Sequence, residues 1–291
     1  MKIAVISDIH GNLPALQTVA AHVEAWQPDK VVVNGDVVNR GPLSLDCLRV
    51  IRQKQIQQGW HVVKGNHEDF LLQCARLDVA QGGPEYEIMQ FAHWAYRQLN
   101  GEVAVLRALP DKFVLMAPDG SEFRAVHASM RGNRDGIYAN SSDEELWKQI
   151  APVPAVFVTA HTHRPMMRRF NDALVVNVGS VGAPFDGDGR ASYGQFVWTR
   201  AGWEVEIVRL AYDRAQTERD YVESGFLTEG GPLAQLMLVE LRRAGGLIYR
   251  WASRYQNAVL ACEMSLAASV WELLQDEDLR PFLGSPGWTF D

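Results

Sequence analysis

The sequence predicts an α/β protein in which two sheets pack face to face with helices outside. The first 65 residues alternate short β-branched runs with helical stretches, the pattern of βαβ units feeding a helix-covered sheet. From Phe113 to Leu210 the chain instead reads mostly as strands joined by short turns. The length of 291 residues allows one large domain or a domain with an appendage.

Taken in order, Lys2 to Ser7 is strand-like, Leu13 to Trp26 helical, Val31 to Asn34 a buried strand, Ser44 to Gln53 helical and His61 to Val63 a strand. Each strand runs into a polar loop: Ser7 to Asn12, Asn34 to Asp36, and Lys64 to Glu68. Asp69 to Asn100 reads as helix broken at Gly82-Gly83-Pro84, and Glu102 to Leu109 as a short helix stopped by Pro110. Strands are then expected at Phe113–Met116, Glu122–His127, Ala155–Thr159, Met166–Phe170, Ala173–Val178, Ser192–Trp198 and Trp203–Leu210. Asp119-Gly120 and Asn171-Asp172 are the expected hairpin turns.

From Asp213 the chain returns to helix. Ile248, Trp251, Tyr255, Val259, Cys262, Leu266, Val270 and Leu273 recur at steps of three and four with no Pro or Gly between them, which predicts one amphipathic helix. Gly245-Gly246 reads as the break before it, so a domain of residues 1–245 and a helical extension of residues 246–291 are expected. The extension is expected to pack on the core or on a second subunit, which leaves a homo-oligomer formed through this helix open.

With 35 acidic and 28 basic side chains the formal charge is −7, which argues against stable binding to nucleic-acid backbones. The three cysteines Cys47, Cys74 and Cys262 fit no CxxC pattern and read as reduced and structural. The N-terminal apolar run is broken at once by Asp8 and His10, and no stretch reaches the roughly 18 apolar residues of a spanning helix. The expectation is a cytoplasmic protein without a membrane partner.

Of eight histidines, His22, His61 and His93 sit in ordinary helix or strand patterns. The other five, His10, His67, His127, His161 and His163, fall at strand ends. Asp8-Ile9-His10 and His161-Thr162-His163 each place two donors two residues apart, so both can point to one side of an extended chain. Asp36, Asn66 and His127 add oxygen and nitrogen donors on further loops, and ligand sites in open α/β sheets lie beyond the carboxyl ends of the strands. Seven such donors exceed the needs of one tetrahedral ion, and the absence of cysteine among them excludes a thiolate zinc site. Two metal ions about 3.5–4 Å apart, able to clamp a phosphoryl group, fit better. Asp36, an anion with two donor oxygens lying between the two groups, suits the bridging position.

Asp8-x-His10, Gly35-Asp36, Gly65-Asn66-His67-Glu68, His127 and His161-x-His163 together resemble the calcineurin-like metallophosphoesterase superfamily. Asn177 to Gly182 and Asp186 to Tyr193 look like its small bacterial and archaeal phosphodiesterase-type branch. The resemblance implies a four-layer α/β/β/α sandwich and places Asp8, His10 and His163 on one metal, Asn66, His127 and His161 on the other, with Asp36 bridging. It gives His67 the task of protonating the leaving alkoxide or steering the phosphate, and Arg40 that of binding phosphate. Arg131 and Arg134 are weaker phosphate candidates. Ala160, Val178 and Phe185 depart from the family pattern without removing a proposed ligand.

The expected function is hydrolysis of a small phosphate ester, a phosphodiester by preference, by a hydroxide bridging two divalent ions. Mn²⁺ is favoured, and Fe and Zn²⁺ suit the same donors. A phosphomonoesterase or nucleoside-polyphosphate or protein phosphatase is the alternative within enzymes. A non-catalytic interaction scaffold on the same fold is the alternative outside them.

Overall fold

The structure, a computed structural model, describes residues 1–76, 82–100 and 103–284. It opens with β1 (Lys2–Ile6), α1 (Leu13–Trp26), β2 (Lys30–Asn34), α2 (Ser44–Gln58) and β3 (His61–Val63). Four helices follow: α3 (Asn66–Cys74), α4 (Pro84–Ile88), α5 (Gln90–Gln98) and α6 (Ala104–Arg107). Next come β4 (Lys112–Met116), β5 (Glu122–Val126), α7 (Asp143–Ile150), β6 (Val156–Thr159), β7 (Met166–Phe170), β8 (Ala173–Asn177), β9 (Ala191–Thr199) and β10 (Gly202–Leu210). The last helices are α8 (Arg214–Glu223), α9 (Phe226–Glu229), α10 (Pro232–Arg243), α11 (Ile248–Leu260) and α12 (Leu266–Leu274).

Two five-stranded sheets result, ordered β10-β9-β1-β2-β3 and β4-β5-β6-β8-β7. In the first, β1, β2 and β3 run parallel and β9 antiparallel to β1; in the second, β5, β6 and β8 run parallel between antiparallel edges. Side-chain alternation explains the layers. Ile3, Val5 and Val32 point between the sheets and meet Phe123, Ala125, Val156, Val158 and Val176. Ala4, Ile6, Val31 and Val33, one residue out of step, point at the helices. A register slip by one residue would exchange these two cores, so the burial pattern fixes the pairing. On the far side of the second sheet, Leu146 and Ile150 of α7 cover Phe157 and Val175. The four-layer arrangement expected from the sequence is present. No helix among the described residues is long and apolar enough to cross a membrane.

The predicted single C-terminal helix is two. α11 ends at Leu260, Cys262 adopts a left-handed backbone (φ 59), and α12 begins at Leu266 after the N-cap Ser265, whose hydroxyl accepts the Ala268 N–H at 3.1 Å. The Glu263 N–H reaches back to the Ala258 carbonyl at 2.9 Å, the bond of a Schellman turn, which usually has glycine where Cys262 stands. The apolar stripe survives this break because both helices turn Trp251, Val259, Leu266, Val270 and Leu273 into the same core as α1 and α10. Of the helix expected at 102–109, residues 101–102 lie outside the described residues and α6 occupies Ala104–Arg107.

The buried Trp251 indole N–H donates to Ser269 Oγ at 2.8 Å and pins α11 to α12. Ser269→Ala would leave that donor without its partner and is expected to cost roughly 1–3 kcal/mol, read as a lower urea midpoint. An unchanged midpoint would show that the indole finds another acceptor.

Candidate metal centre

The carboxyl ends of β1, β2, β3, β5 and β6 deliver the seven donors expected from the sequence, and the structure brings all seven together. Five of the seven sit on backbone that side chains seldom adopt. Asp8 (φ 53), His10 (φ 50), Asp36 (φ 56), His161 (φ 63) and His163 (φ 57) are left-handed, as are Asn39 (φ 68) and Arg40 (φ 65). Such conformations cost energy in non-glycine residues and persist only where neighbours enforce them. Here the first two loops are laced together: Ile9 and His10 N–H both donate to the Asp36 carbonyl, at 2.8 and 3.0 Å, and Gly11 N–H to that of Val37 at 3.1 Å. Close approach demands glycine at position 65, where a Cβ would lie 2.1 Å from Asp36 Oδ1, and at position 41, where it would lie 1.9 Å from the His10 carbonyl oxygen.

One donor group is Asp8, His10 and His163; another is Asp36, His127 and His161. Ring tautomers are set from outside the centre. His163 Nδ1 meets the Ala183 carbonyl at 2.5 Å and His127 Nδ1 the Asn34 carbonyl at 2.8 Å. A carbonyl only accepts, so these nitrogens carry hydrogen, and it is Nε2 of each ring that has a lone pair to offer a metal ion once free of a proton. His163 Nε2 then lies 3.0 Å from His10 Nε2 and 3.3 Å from Asp8 Oδ1. Asn66 Oδ1 stands 2.9 Å from His127 Nε2 and 2.8 Å from His161 Nδ1. Asp36 Oδ2 faces both groups, 3.7 Å from His10 Nε2 and 3.3 Å from His127 Nε2.

The fit to cations follows from what these atoms lack. Asp8 Oδ1 and Asp36 Oδ2 are buried carboxylate oxygens with no hydrogen-bond partner among the described residues. Burying such oxygens is costly unless a positive charge meets them. Within the chain that charge falls to one ring, His127. Burial, then the neighbouring His163, drives His10 well below the ordinary imidazole range, and burial with His127 lowers His161 to about 4. Burial would lower His127 too, but the Asp36 charge outweighs it and holds His127 up at about 10. A divalent cation would displace that proton on binding.

His67, at the start of α3, is 7% exposed, and its ring lies 4.8 Å from that of His10, edge to face. Its tautomer is also fixed. Asn39 Oδ1 accepts the Arg40 N–H at 2.9 Å, so Asn39 turns its amide NH₂ toward His67 Nδ1 at 3.0 Å. The Nδ1 atom is therefore an acceptor, and the neutral ring carries its hydrogen on Nε2.

Sequence reasoning assigned no task to Asn39, to Glu68 or to Glu240. Glu68, fully buried, accepts from Gly65 N–H at 2.7 Å, Asp36 N–H at 2.9 Å and Val37 N–H at 2.8 Å, tying the loop after β2 to the start of α3. Burial, reinforced by the Asp36 charge, pushes its carboxyl up to about 7, while the Asp36 and Gly65 N–H groups pull the other way. It stands in the motif Gly65-Asn66-His67-Glu68, but one acidic residue beside three polar ones carries no mark of its acceptors. Arg40 is not free: its guanidinium meets Glu240 Oε2 of α10 at 2.5 Å, and Glu240 Oε1 accepts the Leu247 and Ile248 N–H groups at 2.5 and 2.8 Å. Arg40 also lies 5.6 Å from the ring centroid of Phe185, which stacks on His163 at 4.3 Å. A contact between residues 200 positions apart has no signal in one sequence.

Four similarities to known proteins bear on this centre. An uncharacterized protein of Methanocaldococcus jannaschii is 28% identical over 235 residues, 72% of this chain and 88% of that protein. The crystal structure of a metallophosphoesterase from Sphaerobacter thermophilus superposes with a TM-score of 0.66 at 26% identity, covering 84% of this chain and 99% of the other. The symmetrical bis(5'-nucleosyl)-tetraphosphatase of Baumannia cicadellinicola is 44% identical over 69 residues, so the similarity spans 23% of each chain. Residues 1–180 match the calcineurin-like phosphoesterase family. That segment runs from β1 through β8 and contains every donor of the centre, leaving Glu240 and the C-terminal helices outside it. The match and a donor set suited to divalent metal ions agree, and the chain belongs to the calcineurin-like phosphoesterase family.

Proposed function

We propose that the protein is a dinuclear metal-dependent phosphoesterase that favours phosphodiesters, with Mn²⁺ as the preferred metal. One observation carries the dinuclear reading: Asp36 Oδ2, with no hydrogen-bond partner among the described residues, lies 3.7 Å from His10 Nε2 of one donor group and 3.3 Å from His127 Nε2 of the other. Asp8, His10 and His163 would hold one ion, Asn66, His127 and His161 the other, and Asp36 both. When bound, a pair of divalent ions supplies charge neutralisation at the phosphoryl oxygens and activation of water.

The remaining steps belong to side chains. His67 presents Nε2–H, a hydrogen-bond donor placed to stabilise negative charge on the departing oxygen. Arg40 supports the diester preference through its pairing. Glu240 offsets the guanidinium charge, which favours a monoanionic diester over a dianionic monoester that needs an uncompensated cation.

The test is metal analysis of the purified protein joined to hydrolysis of bis-para-nitrophenyl phosphate and para-nitrophenyl phosphate, with and without added Mn²⁺. About two ions per chain and faster turnover of the diester are expected. One ion per chain at saturation would sink the dinuclear reading, and a monoester turned over far faster would sink the diester preference.

A further inference from the structure

Two arginines lie in the loop between β5 and α7, and their surroundings differ. Arg131 is held by Asp135 at 2.7 and 2.8 Å and by Glu145 at 2.5 Å. Arg134 has no ion pair or hydrogen bond among the described residues; its Cζ lies 4.4 Å from the centroid of the Phe70 ring. Phe70 is one turn beyond His67 on α3, and the two rings are 5.1 Å apart. The phenyl ring thus meets both the imidazole and the guanidinium, and exposure rises from buried His67 through half-buried Phe70 to exposed Arg134.

The loop that presents Arg134 is anchored on both sides. Asn133 Nδ2 donates to Asp69 Oδ2 at 2.5 Å, Ser129 Oγ to Asp135 Oδ2 at 2.5 Å, and Gln149 Nε2 to the Gly136 carbonyl at 3.1 Å. A cation held over an aromatic face keeps its in-plane N–H donors available, and a planar fork matches the oxygens of a phosphoryl or carboxylate group. Arg40, also near the centre, is already engaged by Glu240.

We propose that Arg134 seated on Phe70 is an anion subsite for the departing half of the substrate. The preferred substrate is then a phosphoester whose leaving group bears a second anionic group. This rests on the reading above in one respect only, that the leaving group departs on the His67 side.

The test compares methyl phenyl phosphate with methyl 4-(phosphonomethyl)phenyl phosphate, diesters whose leaving phenols differ mainly in the added charge. With Mn²⁺-loaded protein, wild type is expected to favour the charged diester in kcat/KM by roughly tenfold, the scale of one charged hydrogen bond. That ratio should fall toward one in Arg134→Gln, and Arg134→Lys, which keeps charge but loses the fork, should retain part of it. An unchanged ratio in Arg134→Gln overturns the proposal. Failure of wild type to hydrolyse either diester would count against the phosphodiesterase reading, and the subsite is then decided by calorimetric titration of metal-free protein with 4-(phosphonomethyl)phenol. Binding weakened about tenfold in Arg134→Gln supports the subsite; equal binding overturns it.

Discussion

His67→Ala is expected to lower kcat for phosphodiesters by roughly 10²–10³-fold, the scale of losing one preorganised donor to a developing oxyanion. The loss should be larger for an alkyl ester, whose departing oxygen holds its charge, than for a para-nitrophenyl ester, which spreads it into the ring. The proposed role is distinct from true proton donation. For His67 to give up a proton and remain neutral, Nδ1 must also be protonated, but Asn39 turns an N–H toward that nitrogen and is kept in that orientation by Arg40. Asn39→Asp would replace the donor with an acceptor. That variant is expected to improve alkyl esters relative to para-nitrophenyl esters, because a doubly protonated ring becomes accessible. Equal losses for both ester types in His67→Ala would remove His67 from the leaving oxygen. Metal content is the second readout, since His67 also brings a ring nitrogen within 4.8 Å of donor atoms of His10 and Asp36. A variant that binds fewer ions would make His67 a ligand.

The centre was legible because it is made of unusual residue types in ordered blocks, and the layers were legible because β1 and β2 are short β-branched runs. A strand buried on both faces needs apolar side chains at every position, and few other elements produce Ala4-Val5-Ile6 or Val31-Val32-Val33 followed by Asp within a few residues. The break between α11 and α12 was hidden because the left-handed position that ends α11 holds Cys262 and not glycine. Periodicity there follows burial, and burial is continuous across the turn, so the apolar spacing ran on where the hydrogen bonds did not. The supporting residues were hidden for a different reason. Asn39 and Glu240 act through contacts with His67 and Arg40 that depend on where α3 and α10 come to rest. The pairing of Arg131 with Asp135 and Glu145, which leaves Arg134 without an ion pair among the described residues, is likewise a property of the folded loop.

Glu68→Gln is expected to be strongly damaging although Glu68 lies outside the donor set and the exchange changes one atom and almost no volume. An ionised carboxylate only accepts, and here it meets backbone donors from Gly65, Asp36, Val37 and, at 3.4 Å, Val38. The amide of glutamine would aim its own N–H groups at some of these donors, leaving them buried and unmatched at about 1–3 kcal/mol each. A total near 4 kcal/mol is expected, large against a typical stability of about 5–15 kcal/mol but short of unfolding the chain. The same bonds hold the left-handed Asp36 in place, and Asp36 Oδ1 in turn accepts the His67 N–H at 2.8 Å. Loss of these bonds should therefore loosen the residue proposed to hold both ions, and metal affinity is expected to fall by about 10–100-fold, the usual effect of removing a group that orients a ligand. Urea unfolding of the metal-free protein and a metal titration of the folded one measure the two effects separately. A variant that loses stability yet binds metal as wild type does would show that the lacing of the first two loops, and not Glu68, positions Asp36.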